Sequence, residues 1–170
     1  TFDVVIIGGS IAGTAAARAL ASRGLSILLV EKRERADQNR LAGEMMHPKG
    51  AQILAELGVL PKILEKGATP IRGFACWQNP RSREQLLDYE PALNHWPEHG
   101  VSLHHHELVD TLFEWAVETR GVTVVRAKAT GLVRHDERVT GARLERDGQE
   151  ITVSAKLIVG ADGRHSSVRR

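Results

Sequence analysis

The chain has 170 residues, 42% of them apolar, and a formal net charge of +2, which fits one globular domain burying roughly 70% of its extended surface. Acids and bases interleave, so no basic face points to nucleic acid, and three Trp, three Phe and one Tyr are too few for a base-stacking platform. Cys76 stands alone, which excludes an internal disulfide and makes a reducing, cytoplasmic compartment the default, and no apolar run approaches the roughly 20 residues of a membrane span, so membrane association is not indicated.

In chain order, residues 3–31 read as a βαβ unit. Val4 to Ile7 is an unbroken apolar run, the pattern of a strand buried on both faces, and it leaves no room ahead of it for a signal peptide. The run Gly8-Gly9-Ser10-Ile11-Ala12-Gly13 then turns into a helix that Arg23-Gly24 stops, and Ser26 to Glu31 is the second strand. Gly8 permits the tight bend, Gly13 lets helix and strand pack closely, and the small Ser10 lets a pyrophosphate approach the amides while its side chain points away. Phosphates suit this position, because free N–H groups and the helix dipole favour anions there. Glu31 lies eighteen residues past Gly13, where an acid binds a ribose hydroxyl. The alternative is a parallel βαβ with a tight glycine turn and no ligand, and Ser10 does depart from the second glycine of G-x-G-x-x-G. Lys32 to Arg35 reads as a solvated loop or a phosphate clamp, with Lys32 the residue nearest the acid.

After a polar loop to Arg40, Pro48 opens a helix that ends at Gly58, and Pro61 starts a short one that ends near Gly67. Ile71–Gln78 and Glu84–Tyr89 read as a hairpin around Asn79-Pro80-Arg81-Ser82. Val101–His105 is a strand, and Leu108, Leu112, Trp115 and Ala116 form one face of a helix that stops at Gly121. Val122–Val125 follows, then three antiparallel strands over Ala129–His135, Val139–Glu145 and Glu150–Ala155, with turns at Asp136-Glu137-Arg138 and Asp147-Gly148. A buried strand, Leu157–Gly160, runs into Ala161-Asp162-Gly163-Arg164-His165-Ser166. The fold class is therefore α/β, a Rossmann-like βαβ with a three-stranded antiparallel meander inserted before a final parallel strand. A nicotinamide dehydrogenase domain usually continues βαβαβ without that insert.

At this point three segments resemble FAD-dependent monooxygenases of the para-hydroxybenzoate hydroxylase type. Gly8 to Gly13 with Glu31 is similar to the family's ADP-binding fingerprint. Arg40-Leu-Ala-Gly43-Glu44-Met-Met-His47-Pro48-Lys-Gly50, followed by Leu54-Ala-Glu-Leu57-Gly58, resembles a stretch of squalene monooxygenases and ubiquinone-pathway hydroxylases. Gly160-Ala-Asp162-Gly163-Arg-His-Ser166-Ser-Val-Arg169 resembles the D-G-x-x-S-x-x-R motif implicated in FAD and NAD(P)H binding. The resemblance implies that Asp162 and Gly163 lie near the pyrophosphate, with Arg169 steadying that loop or meeting the nicotinamide nucleotide. It puts Arg40 at the FAD phosphates or flavin edge, Gly43 and Glu44 close to the flavin ring, and the Ala129 backbone at adenine. His105 stands where the family often has an arginine, so phosphate contact there would be weaker and pH-dependent.

The family's later G-D-A-x-H segment is not found in this sequence, nor is most of its substrate sheet. The reading is thus an FAD-binding domain over 1–170, the N-terminal part of an enzyme about two to three times this length. Residues 71–100 would be the first piece of its substrate domain. What the resemblance implies for function is NAD(P)H as reductant, O₂ as oxidant, and hydroxylation or epoxidation of a small organic substrate, with the remainder of the same enzyme as partner. Oxygen transfer needs no protein nucleophile, so no catalytic residue is named. A flavin-dependent reductase or halogenase on the same scaffold, or a non-catalytic dinucleotide-binding module, stays open. Other residues have plainer readings: His104 and His106 on one side of a strand with His105 on the other, Glu44 fixing a loop, Ser166 capping a helix, and Cys76 in the core.

Overall fold

An apolar segment next to a glycine turn stays extended when neighbouring strands pair both of its edges, and Phe2–Ile7 (β1) is so paired. The computed structural model describes residues 1–34, 43–77, 79, 85–94 and 99–169. After β1 come α1 (Ile11–Ala21), β2 (Ile27–Glu31), β3 (Gly43–Met46), α2 (Pro48–Glu56), α3 (Leu60–Glu65), β4 (Thr69–Ile71), β5 (Gly73–Cys76) and β6 (Gln85–Asp88). A 3₁₀ turn over Glu90–Asn94 leads to β7 (Gly100–His104), α4 (His105–Val117), β8 (Val122–Arg126), β9 (Lys128–His135), β10 (Arg138–Arg146) and β11 (Gln149–Gly160). The chain divides into two units, Thr1–Ala36 with Leu112–Arg170, and Asp37–Thr111.

The first unit is built on a six-stranded sheet of order β8-β2-β1-β11-β10-β9. β8, β2, β1 and the end of β11 run parallel, whereas β9, β10 and the start of β11 form the antiparallel meander expected from the sequence. Side chains of β1 alternate between two cores. Val5 and Ile7 join Leu28, Val30, Ala142 and Leu144 on one face, while Val4 and Ile6 join Ala17, Ala21, Leu29 and Ala116 on the other. Packing on both faces is why the run carries no polar residue. The turns also fall as expected: Asp136 has φ 54°, and Asp147 and Gly148 have φ 52° and 75°, the two left-handed residues of a tight hairpin.

One strand differs from the sequence reading. Glu150–Ala155 and Leu157–Gly160 are not separate elements but a single twelve-residue strand, β11. It pairs antiparallel with β10 as far as Ser154 and parallel with β1 from Ala155 onward. Nor is its second half a buried strand, since Leu157 is 53% exposed. Ile158 and Val159 are partly buried against the two cores, so this half of the strand is covered only in part.

The second unit holds a three-stranded sheet of order β3-β7-β4 and a two-stranded sheet, β5-β6. The expected strand Ile71–Gln78 breaks at Arg72: β4 pairs with β7, and β5 pairs with β6 as the hairpin foreseen. Of that hairpin's turn only Asn79 lies among the described residues. Cys76 is exposed and not in the core; it closes β5 opposite Gln85 of β6, which is exposed as well. The three histidines do not share a strand either. His104 closes β7 and His105 opens α4, so strand alternation no longer applies, and the rings of His104 and His106 stack 5.6 Å apart. Leu108, Leu112, Trp115 and Ala116 of α4 are all buried, as their helical spacing requires.

Candidate dinucleotide-binding cleft

The site grows from the turn after β1. Gly8 adopts φ +110°, and a Cβ there would stand 2.3 Å from the Ala161 carbonyl oxygen. A Cβ on Gly13 would stand 1.8 Å from the Gly8 carbonyl oxygen. No side chain fits either place, so the start of α1 is pressed against the ends of β1 and β11. The Gly8 N–H donates to the Val30 carbonyl (2.8 Å) and the Ala161 N–H to the Ile7 carbonyl (2.7 Å), which locks three chain segments together. Ser10 takes the N-cap position in extended backbone, but its hydroxyl bonds no helix N–H. The first turn of α1 therefore keeps N–H groups without a side-chain cap, ready for an anion.

Two acids flank this turn. Glu31, at the end of β2, is 7% exposed. Its Oε2 accepts the Gly9 N–H (2.7 Å), and its Oε1 accepts the Arg33 N–H (2.9 Å) and Nε (3.3 Å). Burial pushes its carboxyl up, but the Arg33 and Gly9 N–H groups and the Arg33 guanidinium outweigh that and hold it below the usual range. Asp162 follows β11. Its Oδ2 accepts the Ser167 N–H (2.6 Å) and hydroxyl (2.9 Å). Here too burial raises the carboxyl, while the hydroxyls of Ser166 and Ser167 and the Ser167 N–H bring it below the usual range. The other oxygen, Oδ1, is buried with no partner among the described residues. A buried acceptor left unpaired is costly, and a ligand hydroxyl or amide would satisfy it.

Between the acids lies a cleft of about 520 Å³. It brings together Gly8, Ser10, Glu31, Lys32, Ala129, Asp162 and Gly163 of the expected site. Gly9, Ile11, Ala12 and Gly13 are not on its lining; Gly9 turns its N–H to Glu31, and Gly13 packs behind. Sequence reasoning gives no cofactor role to Lys128, Arg164, His165 and Ser167, which also line it, together with Arg33 of the Lys32–Arg35 run. Arg33 belongs to the run that reads as a solvated loop or a phosphate clamp, and Lys128 and Arg164 stand one residue from Ala129 and Gly163. With Lys32 they set four cationic side chains against two carboxylates, the balance a diphosphate needs. Arg40 lies outside the described residues. Gly43, Glu44 and His105 fall in the second unit. There Gly43 pairs with His104, and Glu44, on strand β3 and not in a loop, bonds Nδ1 of His105. Ser166 caps no helix; its hydroxyl accepts the Arg169 N–H (3.2 Å) within a loop.

A family model described as an FAD binding domain matches residues 1–170. This chain belongs to the FAD-binding domain family. The domain is 31% identical over 169 residues to a squalene monooxygenase of Panax ginseng, covering 99% of this chain and 31% of that protein. It is likewise 31% identical over 172 residues to a digeranylgeranylglycerophospholipid reductase of Thermoplasma volcanium, covering 100% of this chain and 41% of the other. The solved structure of a flavin-dependent brominase superposes with a TM-score of 0.82 at 25% identity, covering 96% of this chain and 38% of that one. The domain thus spans well under half the length of these relatives. Among the described residues no helix is long and apolar enough to cross a membrane, and no three His, Cys, Asp or Glu side chains are grouped to hold a metal ion.

Proposed function

We infer that this FAD-binding domain serves a flavin-dependent monooxygenase that uses NAD(P)H and O₂ to hydroxylate or epoxidise a small organic substrate. The observation that carries the reading is the cleft itself: a helix N-terminus, an engaged acid at Glu31 and an acid oxygen of Asp162 without a partner among the described residues converge in one cationic pocket. That set suits ribose hydroxyls and a diphosphate, the two ends of an ADP moiety. The monooxygenase assignment draws on the squalene monooxygenase likeness.

In this reading FAD supplies the redox chemistry when bound. The chain's own residues bind and orient it. Glu31 accepts a ribose hydroxyl while keeping its hold on the Gly9 N–H, and Ser10, at the uncapped N-terminus of α1, faces the diphosphate. Lys32, Arg33, Lys128 and Arg164 neutralise the phosphates. Asp162 Oδ1 takes a hydroxyl, with Gly163 giving the backbone room beside it, and Ala129 sits by the adenine. The roles of Arg40, Gly43, Glu44 and His105 toward the cofactor rest on the family resemblance alone. So does the assignment of residues 71–100 to a substrate domain completed by the remainder of the same enzyme. A cytoplasmic setting is supported by the lone thiol of Cys76.

Two of the relatives favour a second reading, a reductase or halogenase on the same scaffold. The full-length protein separates the three. It should purify yellow, or turn yellow with added FAD, and should oxidise NAD(P)H with matching O₂ uptake when its substrate is present. NAD(P)H oxidation without O₂ uptake would make it a reductase, and halide dependence a halogenase. A protein that stays colourless with FAD yet binds NAD tightly would overturn the cofactor as well.

A further inference from the structure

Arg126 ends β8 in register with Glu31 of β2, so the two side chains leave the same face of the sheet one strand apart. They nevertheless form no ion pair among the described residues. The Arg126 guanidinium instead lies over the ring of Phe113, 3.9 Å from its centroid, and its Nη1 donates to the backbone carbonyl of Arg33. Both partners act on the phosphate turn. The Phe113 ring lies against Gly9, where an added Cβ would come within 3.0 Å of Cε2. Arg33, held by its carbonyl, presents its N–H and Nε to Glu31 Oε1. Two routes from one guanidinium therefore converge on a single hydrogen bond, from the Gly9 N–H to Glu31 Oε2 at 2.7 Å. Arg126 itself does not line the cleft.

The geometry points to Arg126 as a positioning residue that pre-shapes the nucleotide cleft through Phe113 and Arg33. It does so by fixing where the Glu31 carboxylate and the Gly9 amide stand before any nucleotide arrives. The forked shape of arginine matters here, because one planar group must lie on a ring and reach a carbonyl at once. The inference extends the proposed FAD-binding role of the cleft and rests on that reading only for its effect on affinity.

The test uses the full-length protein as wild type, Arg126→Met and Arg126→Lys. Methionine keeps the apolar stem and removes the charge and the donor; lysine keeps a charge over the ring but loses the fork. In nucleotide-free protein, exchange of the Gly9 amide should be about ten-fold faster with methionine and about three-fold faster with lysine, while amides of β10 and β11 are unchanged. FAD dissociation constants should rise in the same order by about the same factors. A Gly9 amide that exchanges at the wild-type rate in both variants overturns the inference, whatever FAD does. So does a lysine variant no better than methionine. If wild type itself fails to bind FAD while the Gly9 effect is present, the cofactor reading falls and the positioning role stands.

Discussion

The two units of this chain hold their functional candidates in different ways. In the unit around β1, the decisive contacts are backbone against backbone: the start of α1 sits on Gly8, and Gly8 sits on Ala161. In the unit of residues 37–111, side chains do the holding. Tyr89, 4% exposed, hydrogen-bonds Nδ1 of His47 at 2.5 Å, and His105 bonds Glu44. Where backbones must touch, the residue type is forced and a local pattern betrays it. Where a side-chain pair does the work, the partners lie 42 and 61 residues apart and many other pairs would serve. The first kind of contact should fail abruptly on substitution, the second by degrees.

The largest expected effect is Gly13→Val. Its Cβ would sit 1.8 Å from a carbonyl oxygen that has no freedom to move. The destabilisation should exceed about 4 kcal/mol, which takes most of the stability of a marginal domain. Soluble yield and flavin content measure it, and a soluble, fully flavinated variant would mean the turn is not built this way.

Next comes Glu31→Ala, which strips partners from the Gly9 and Arg33 N–H groups. FAD binding should weaken on the order of 1.5–3 kcal/mol, with Glu31→Gln losing less because its oxygen still accepts. Equal affinity for all three proteins would place Glu31 outside the site. The same variant sharpens the comparison through pH. Glu31 and Asp162 are both held below their ordinary range. Their contribution to stability is thus complete above the unfolded carboxylate value of about 4 and is lost as pH falls through the lowered folded values. Denaturation midpoints followed downward from neutral pH should drop more steeply for wild type than for Glu31→Gln. Parallel curves would show that the carboxylate is not engaged.

In the second unit Tyr89→Phe should cost about 1 kcal/mol, because the ring stays and one hydrogen bond goes. Thermal melting of the variant checks it, and a loss as large as that of Gly13→Val would erase the contrast between the units. Smallest is Lys156→Ala. Its contact with Asp3 is short, 2.7 Å, but Lys156 is 77% exposed, so the melting temperature should not move measurably.

Most of the first unit was legible in the sequence because periodicity and glycine placement report local geometry. The alternation of β1 between two cores, the tight turns at Asp136 and Asp147, and the acid that ends β2 were all of this kind. What was not legible depended on distant partners. No local rule says that β11 is one strand, because its antiparallel and parallel halves each look complete alone. The histidine run looked like a strand because its change to helix at His105 carries no proline, glycine or capping residue. Arg33 and Lys128 stay exposed at the rim of the cleft, and surface charge between elements is usually solvated, so only the fold shows that the end of β2 and the start of β9 bring them to one pocket.

The continuity of β11 also bears on how the chain comes off the ribosome. β1 finds its β11 partner about 150 residues later, Phe2 beside Ala155. Until that strand is made, one edge of β1 and the apolar faces around it stay without their final neighbour during synthesis. Non-local closures of this kind slow folding and leave nascent chains open to association. Changes that weaken the β10–β11 hairpin, such as loss of the Asp147-Gly148 turn, should then lower cellular yield well beyond their effect on the finished protein. The meander would act as the late fastener of the nucleotide sheet, and its quality would be felt in the time the chain waits.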